Sequence, residues 1–221
     1  MRAAPGAGKR RLETSGRNER QPYHHGDLRH ALLEAAEKEL AEKGIEGFTL
    51  RGCAKRAGVS HAAPAHHFRD ATGLLTALAA LGFERFVSFQ KARQADAPRD
   101  PRSQLVASGL GYVDFALAHP ELFRLMFASK RADFSGAALG EAADAAFDYL
   151  VQGLVAIRGR DPYRDAASML DVMGTWGITH GLADLMLSGR MKPLLAMPPP
   201  ARDAALAQII GRAFPAQPDD R

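Results

Sequence analysis

The chain has 221 residues, 46% of them hydrophobic and 24% charged, with a formal net charge of +4. These proportions suit one large or two small folded units and exclude wholesale disorder. The longest apolar run, Leu74 to Phe83, falls well short of the ~20 residues that cross a bilayer, so no membrane partner is expected. One cysteine excludes an internal disulfide and a four-cysteine metal site, and suits a reducing interior. The segment through Pro22 contains a twin Arg10–Arg11 with no apolar stretch behind it, so it does not read as an export signal, and a cytoplasmic location is expected.

The charge is not spread evenly. Residues 1–22 carry six basic groups against two acidic ones, whereas residues 23–70 hold seven of each and residues 71–221 sixteen of each. The net positive charge thus lies in a Gly/Pro-interrupted arm without a hydrophobic pattern, which cannot bury enough apolar surface to order itself. That arm reads either as a solubilising tail or as a flexible contact to phosphates or a minor groove. Six of the eight histidines (His24, His25, His30, His61, His66 and His67) fall within residues 24–67. No carboxylate or cysteine stands at ligand spacing beside them, and adjacent histidines on a helix diverge by about 100°. No metal and no cofactor are expected.

Nearly everything after residue 26 reads as helix. In 27–43, Leu28, Leu32, Ala36 and Leu40 recur every four residues, and Gly44 offers a stop. Thr49 can cap a short helix carrying Leu50, Cys53, Ala54 and Ala57, which Gly58 ends. Ser60 can cap a third helix of about two turns, through His67. A long helix runs from Ala71 to about Ala95. Asp100-Pro101 opens the next, with Val106, Leu110, Val113 and Leu117 as its stripe. Pro120 starts a short helix that is apolar on most sides and must therefore be enclosed by others. Leu139 to Ile157 marks another, 163–188 the next, and the last follows Pro198–Pro200. With no alternating strand pattern and no internal repeat, the expected fold is all-α with about nine helices.

The stretch 49–68, TLRGCAKRAGVSHAAPAHHF, is the most specific. A helix-turn-helix needs a small residue where its two helices cross, a turn glycine four positions later, and an apolar residue directly after. Ala54, Gly58 and Val59 meet these needs in order, although a generic helical hairpin can imitate them.

The run from Tyr23 to about residue 85, with its LxxAAxxLxxxKGxxxxTLRxxAxRAGVS pattern and the following HHF, closely resembles the N-terminal DNA-binding domain of TetR-family transcriptional regulators. HPELFRLMF at 119–127 and WGITHG at 176–181 resemble the C-terminal domain of a TetR branch with a Trp–His–Gly signature. The resemblance implies a homodimeric regulator, usually a repressor, that binds a palindromic double-stranded DNA operator and answers to a small-molecule effector. It divides the chain into a 1–22 arm, a 23–70 DNA-binding domain, a 71–214 ligand-binding and dimerisation domain, and a 215–221 tail. DNA contacts are expected at Thr49, Arg51, Ser60, His61, Ala62, Ala63, His66 and His67. Arginine suits a guanine edge or a phosphate fork, and helix starts attract anions. The chain departs from the family at Ala65, where Tyr is usual, and at Ala71, where Lys is frequent. Two lost phosphate anchors lower affinity and flatten its salt dependence by roughly 0.9 per contact in the log–log slope. Pro64 is also awkward for a helix capped by Ser60, because it lacks an N–H where the first helical bond forms.

In 163–188, Met169, Met173, Trp176 and His180 share one face, while Leu170, Gly174, Gly177, Gly181 and Leu185 share its neighbour. Glycines in a helix cost roughly 0.8–1 kcal/mol each, so close approach by another helix should compensate, within one subunit or between two. The resemblance assigns this helix and the last one to the dimer, which gives Gly174, Gly177, Gly181, Leu185, Leu206, Ile209 and Ile210 as interface residues. An apolar pocket is expected from Phe115, Phe123, Met126, Phe127, Phe147, Met173, Trp176 and His180, against the plainer reading of these as core. Cys53 reads as core packing rather than a redox sensor. No phosphate-cradling loop, nucleophile elbow or paired carboxylates point to an enzyme. The competing reading is a helical small-molecule-binding protein of the same shape with weak or lost DNA reading.

Overall fold

The computed structural model describes residues 25–214, so the basic arm and the tail beyond residue 214 lie outside it. The described residues form ten α-helices and no strand: α1 (His25–Gly47), α2 (Leu50–Ala57), α3 (Ala63–Phe68), α4 (Ala71–Ala95), α5 (Pro101–Ala118), α6 (Pro120–Phe127), α7 (Ala137–Arg158), α8 (Ala166–Leu187), α9 (Lys192–Leu195) and α10 (Pro199–Gly211). The all-α expectation holds. The helix not foreseen is the single turn α9, which is too short to show a hydrophobic period.

The punctuation follows the sequence. Gly44 breaks α1 at φ 66°, ψ 178°, as a glycine stop should. Asp100 and Asp165 cap α5 and α8 by accepting the Ser103 and Ser168 N–H groups at 2.9 and 3.2 Å. The short apolar helix α6 is enclosed as anticipated, with Leu122, Phe123, Leu125 and Met126 buried.

Two apolar clusters hold the chain together. The first runs without a break from Leu32, Leu40, Phe48, Cys53 and Phe68 through Leu74, Leu75 and Leu78 to Phe115 and Leu125. The helices that would read DNA therefore share one core with the body. The second gathers Leu105, Val113, Leu154, Val172, Leu206, Ile210 and Phe214 from α5, α7, α8 and the C-terminal end. Arg93 of α4 ties these layers at their edge, pairing with Asp114 of α5 and, at 2.8 Å, with Asp203 of α10. By length and composition α4 is apolar enough to cross a bilayer. Its Leu74, Leu75, Leu78, Phe83 and Phe86 are instead buried against its neighbours, so it is the central helix of the core.

Candidate nucleic-acid interface and ligand cavity

The interface begins with how α2 is fixed. Thr49 accepts the Gly52 N–H at 3.0 Å, and α2 ends at Gly58, whose φ of 68° only a glycine adopts without strain. Val59 N–H returns to the Ala54 carbonyl at 3.1 Å, closing the turn over fully buried Cys53 and Ala54. A contact not foreseen locks α2 onto α1. The buried carboxylate of Glu39 lies against Gly52, where a Cβ would meet its Oε1 at 2.0 Å. It accepts from Arg56 Nε at 2.6 Å while Arg56 also forks onto Glu42.

The third helix starts later than Ser60 implies. Ala63 N–H bonds the Ser60 carbonyl at 3.0 Å in a tight turn, and α3 then runs from Ala63 with Ala62 in the cap position and no side-chain cap. Pro64, buried in the first turn, needs no partner for its missing N–H there. Ser60 therefore caps nothing through its hydroxyl. Thr49, Arg51, Ser60, His61, Ala62 and His66 are exposed, while Ala63 and His67 are half-buried. Ala65, the position without the usual Tyr, is exposed as well.

The joint between α3 and α4 has no slack. Asp70 N–H bonds the Phe68 carbonyl at 2.8 Å across Arg69, which stands at φ 66°, a γ-turn that a non-glycine residue adopts only under strain. Asp70 then caps α4 by accepting the Gly73 N–H at 2.8 Å. Gly73 is required because any Cβ there would lie 2.0 Å from the Phe68 carbonyl oxygen. Arg29 of α1 covers the Phe68 ring at 5.2 Å.

Cys53 is fully buried, and burial with the nearby Glu39 charge pushes its thiol up to about 12. The thiolate is the reactive form. Iodoacetamide at pH 9 is therefore expected to leave the native protein unlabelled and to label it once after unfolding, as mass spectrometry would register.

The body holds a cavity of about 630 Å³, partly open to solvent, between α4, α5, α6, α7 and α8. Five of the expected residues line it: Met126, Phe127, Phe147, Trp176 and His180. Three do not. Phe115 is fully buried behind Phe86 and Phe89, at centroid distances of 5.5 and 5.6 Å. Phe123 stacks on His180 at 5.4 Å without being part of the cavity wall. Met173, expected on the face of Trp176 and His180, is instead 43% exposed and outside the wall.

The walls not foreseen come from α4 and α5, chiefly Phe83, Phe86, Gln90, Leu105, Ser108 and Tyr112. The signal for them was a buried polar residue within an apolar stripe, Gln90 after Phe83 and Phe86, and Ser108 between Leu105 and Tyr112. Ser108 donates to Gln90 Oε1 at 2.6 Å. Tyr112 Oη lies 2.7 Å from His180 Nδ1. Burial raises the Tyr112 pKa and lowers that of His180, so the neutral forms meet. A phenol O–H is the stronger donor and the imidazole nitrogen the stronger acceptor, which favours the hydroxyl donating to the ring. Past the cavity's Phe134, the α6–α7 loop grips the end of α1 and the first turns of α4. Arg131 donates to the Ile45 carbonyl at 2.5 Å, and Asp133 N–H to Thr76 Oγ1 at 2.9 Å.

The glycine row of α8 is uncovered. A Cβ added at Gly174, Gly177 or Gly181 would meet nothing within 4 Å. Leu170, Met173, Ile178 and Leu185 are exposed beside it, Leu170 by 72%. Packing within the subunit therefore does not account for these glycines. Leu206 and Ile210, expected on the same surface, point inward into the second cluster, and Ile209 is half-buried. Among the described residues no group of three His, Cys, Asp or Glu could hold a metal ion.

Comparison with known proteins gives two family matches. Residues 32–78 match the profile of bacterial regulatory proteins, tetR family, and residues 105–213 that of the Tetracyclin repressor-like C-terminal domain. A protein with unknown function from Rhodococcus sp. RHA1 is 35% identical, with 88% of this chain and 98% of that one covered at a TM-score of 0.71. The TetR-family transcriptional regulator PfmR from Thermus thermophilus, at 19% identity and a TM-score of 0.60 over 84% of this chain and 99% of that one, shows the shared fold. The HTH-type transcriptional regulator BetI of Burkholderia cenocepacia is 36% identical over 76 residues, 34% of this chain. That match spans 39% of the curated relative's length.

Proposed function

This chain belongs to the TetR family of bacterial regulatory proteins, which are regulators rather than enzymes, and from that premise we propose that it is a homodimeric transcriptional repressor released from a palindromic operator by a small, largely apolar effector. It acts in the cytoplasm. The observation that carries the reading is the braced pair α2–α3, in which the turn before α3 leaves His61 and Ala62 exposed and α3 itself His66, beside Arg51, while the rest of the unit is locked to the core. Arg51 and the Thr49 and Ser60 hydroxyls serve phosphates or a guanine edge. His61, His66 and His67 supply hydrogen bonds to bases, and Ala62 and Ala63 meet thymine methyls.

A palindrome requires two recognition helices about 34–36 Å apart. The open row Gly174, Gly177 and Gly181, flanked by Leu185, is the surface on which a second copy would close. The cavity is the effector site, and α4, which joins its wall to α3, carries the response. An effector releases DNA by binding more tightly to a state in which the two helices no longer match successive grooves.

The test is a titration of fluorescent duplex from the region upstream of the protein's own gene, at low and moderate salt. The double substitution Arg51→Ala with His66→Ala is expected to lower specific affinity by about 3 kcal/mol, roughly a hundredfold, and to lower binding to unrelated duplex less. Binding indifferent to sequence and to both changes would favour a ligand-binding protein that does not read DNA, the reading that Ala65 and Ala71 support.

A further inference from the structure

The cavity's inventory of charge narrows what it can hold. No lysine or arginine is among its lining residues, and its one carboxylate, Asp144, is exposed. Its one histidine, His180, is shifted toward the neutral form by burial. An anion entering such a chamber would give up its hydration with no opposite charge to replace it, and a cation would meet only the solvent-screened Asp144 at the exposed side.

The polar atoms inside are mostly committed to each other. Thr175 and Thr179 donate to the Asp171 and Thr175 carbonyls of their own helix at 2.8 and 2.9 Å. Ser108 occupies Gln90 Oε1. Tyr112 occupies His180 Nδ1, and with the phenol as the donor of that pair the ring's proton sits on Nε2. Nε2–H has no partner among the described residues, and it is a donor. Around it stand the rings of Phe83, Phe86, Phe127, Phe147 and Trp176, which offer faces and edges to another ring.

We propose that the ligand is an uncharged, ring-containing molecule with a carbonyl or similar oxygen that accepts a hydrogen bond from His180. Tyr112 is the positioning residue, since its hydroxyl sets the tautomer that makes His180 a donor. The inference rests on reading the cavity as the effector site, and it specifies the effector's charge and its one polar contact.

The chain carries its own reporter, because its single tryptophan, Trp176, lines the cavity. Four probes with a common ring system would be titrated by calorimetry and by quenching of Trp176 emission: naphthalene, 2-acetonaphthone, 2-naphthoate and a naphthylmethyl-trimethylammonium ion. The ketone is expected to bind roughly tenfold more tightly than either ion and several-fold more tightly than naphthalene. The advantage over naphthalene should vanish in His180→Phe and shrink in Tyr112→Phe, which keeps the ring and loses only the hydroxyl. Either ion binding as tightly as the ketone, a ketone no better than naphthalene in the unaltered protein, or no probe binding at all would overturn the inference. DNA titration of the same preparation separates the two readings. Protein that binds operator but fails to discriminate among the probes refutes this inference alone. Protein that discriminates among them but ignores DNA refutes the regulator and leaves the ligand class standing.

Discussion

Alanine at Gly73 is expected to lower operator affinity by about 3 kcal/mol, roughly a hundredfold, while leaving the helical content of the protein unchanged. The added methyl would sit 2.0 Å from the Phe68 carbonyl oxygen, and that oxygen is backbone. It cannot swing aside, because it already accepts the Asp70 N–H across the strained Arg69 turn. Relief must come from moving the end of α3 away from the start of α4, which re-aims His61 and His66. Such overpacking also costs about 1–3 kcal/mol of stability. Gly136→Ala is the control, since a Cβ there meets its nearest neighbour at an ordinary 3.4 Å. Fluorescence anisotropy on the upstream duplex with far-ultraviolet circular dichroism decides the matter. Unaltered affinity in Gly73→Ala would mean that the joint is softer than its geometry implies.

Alanine at Phe115 should act on stability, lowering it by about 3–5 kcal/mol in denaturant unfolding. The ring is fully buried and edges onto Phe86 and Phe89 from the far side of the cavity wall. Its loss leaves a void among side chains that cannot collapse to fill it. Phe147→Ala provides the contrast, because that half-buried ring lines the cavity and meets Trp176 at 5.9 Å. It should cost less stability and change Trp176 quenching by the naphthalene probes more. The reverse order would place Phe115 in the ligand site, where its sequence position first suggested it belonged.

These two residues also mark where the sequence is readable. Thr49, Gly58 and Gly44 announce helix ends through local chemistry that depends on nothing distant, and the structure places them as that chemistry requires. The stripe Phe127, Phe147, Trp176 and His180 was visible as a concentration of aromatic groups, but a stripe tells which face is buried and not what it faces. Phe115 and Phe123 therefore looked like cavity walls and are core, and Leu206 and Ile210 looked like interface and point inward. Gln90 and Ser108 were legible in principle, since a polar residue within an apolar stripe must find a partner. Their pairing across 18 positions is not. The Ser60 cap failed because Pro64, with its φ preset, can start a helix without a side-chain acceptor. The Glu39–Arg56 lock has no local signature, because its two ends lie 17 residues apart and meet only when α2 crosses α1.

Helix α4 roots the recognition helix at Gly73 and forms the cavity wall at Gln90. Those positions are about 25 Å apart at the ~1.5 Å rise of an α-helix, so a rigid tilt of about 5° sweeps one end through about 2 Å relative to the other. A hydrogen bond fails over a smaller displacement. An effector that leans on this rod therefore needs no unfolding, no flexible hinge and no contact with the DNA-reading residues. On the function proposed, the stiffness that would hold the protein on DNA would also transmit the message to leave it.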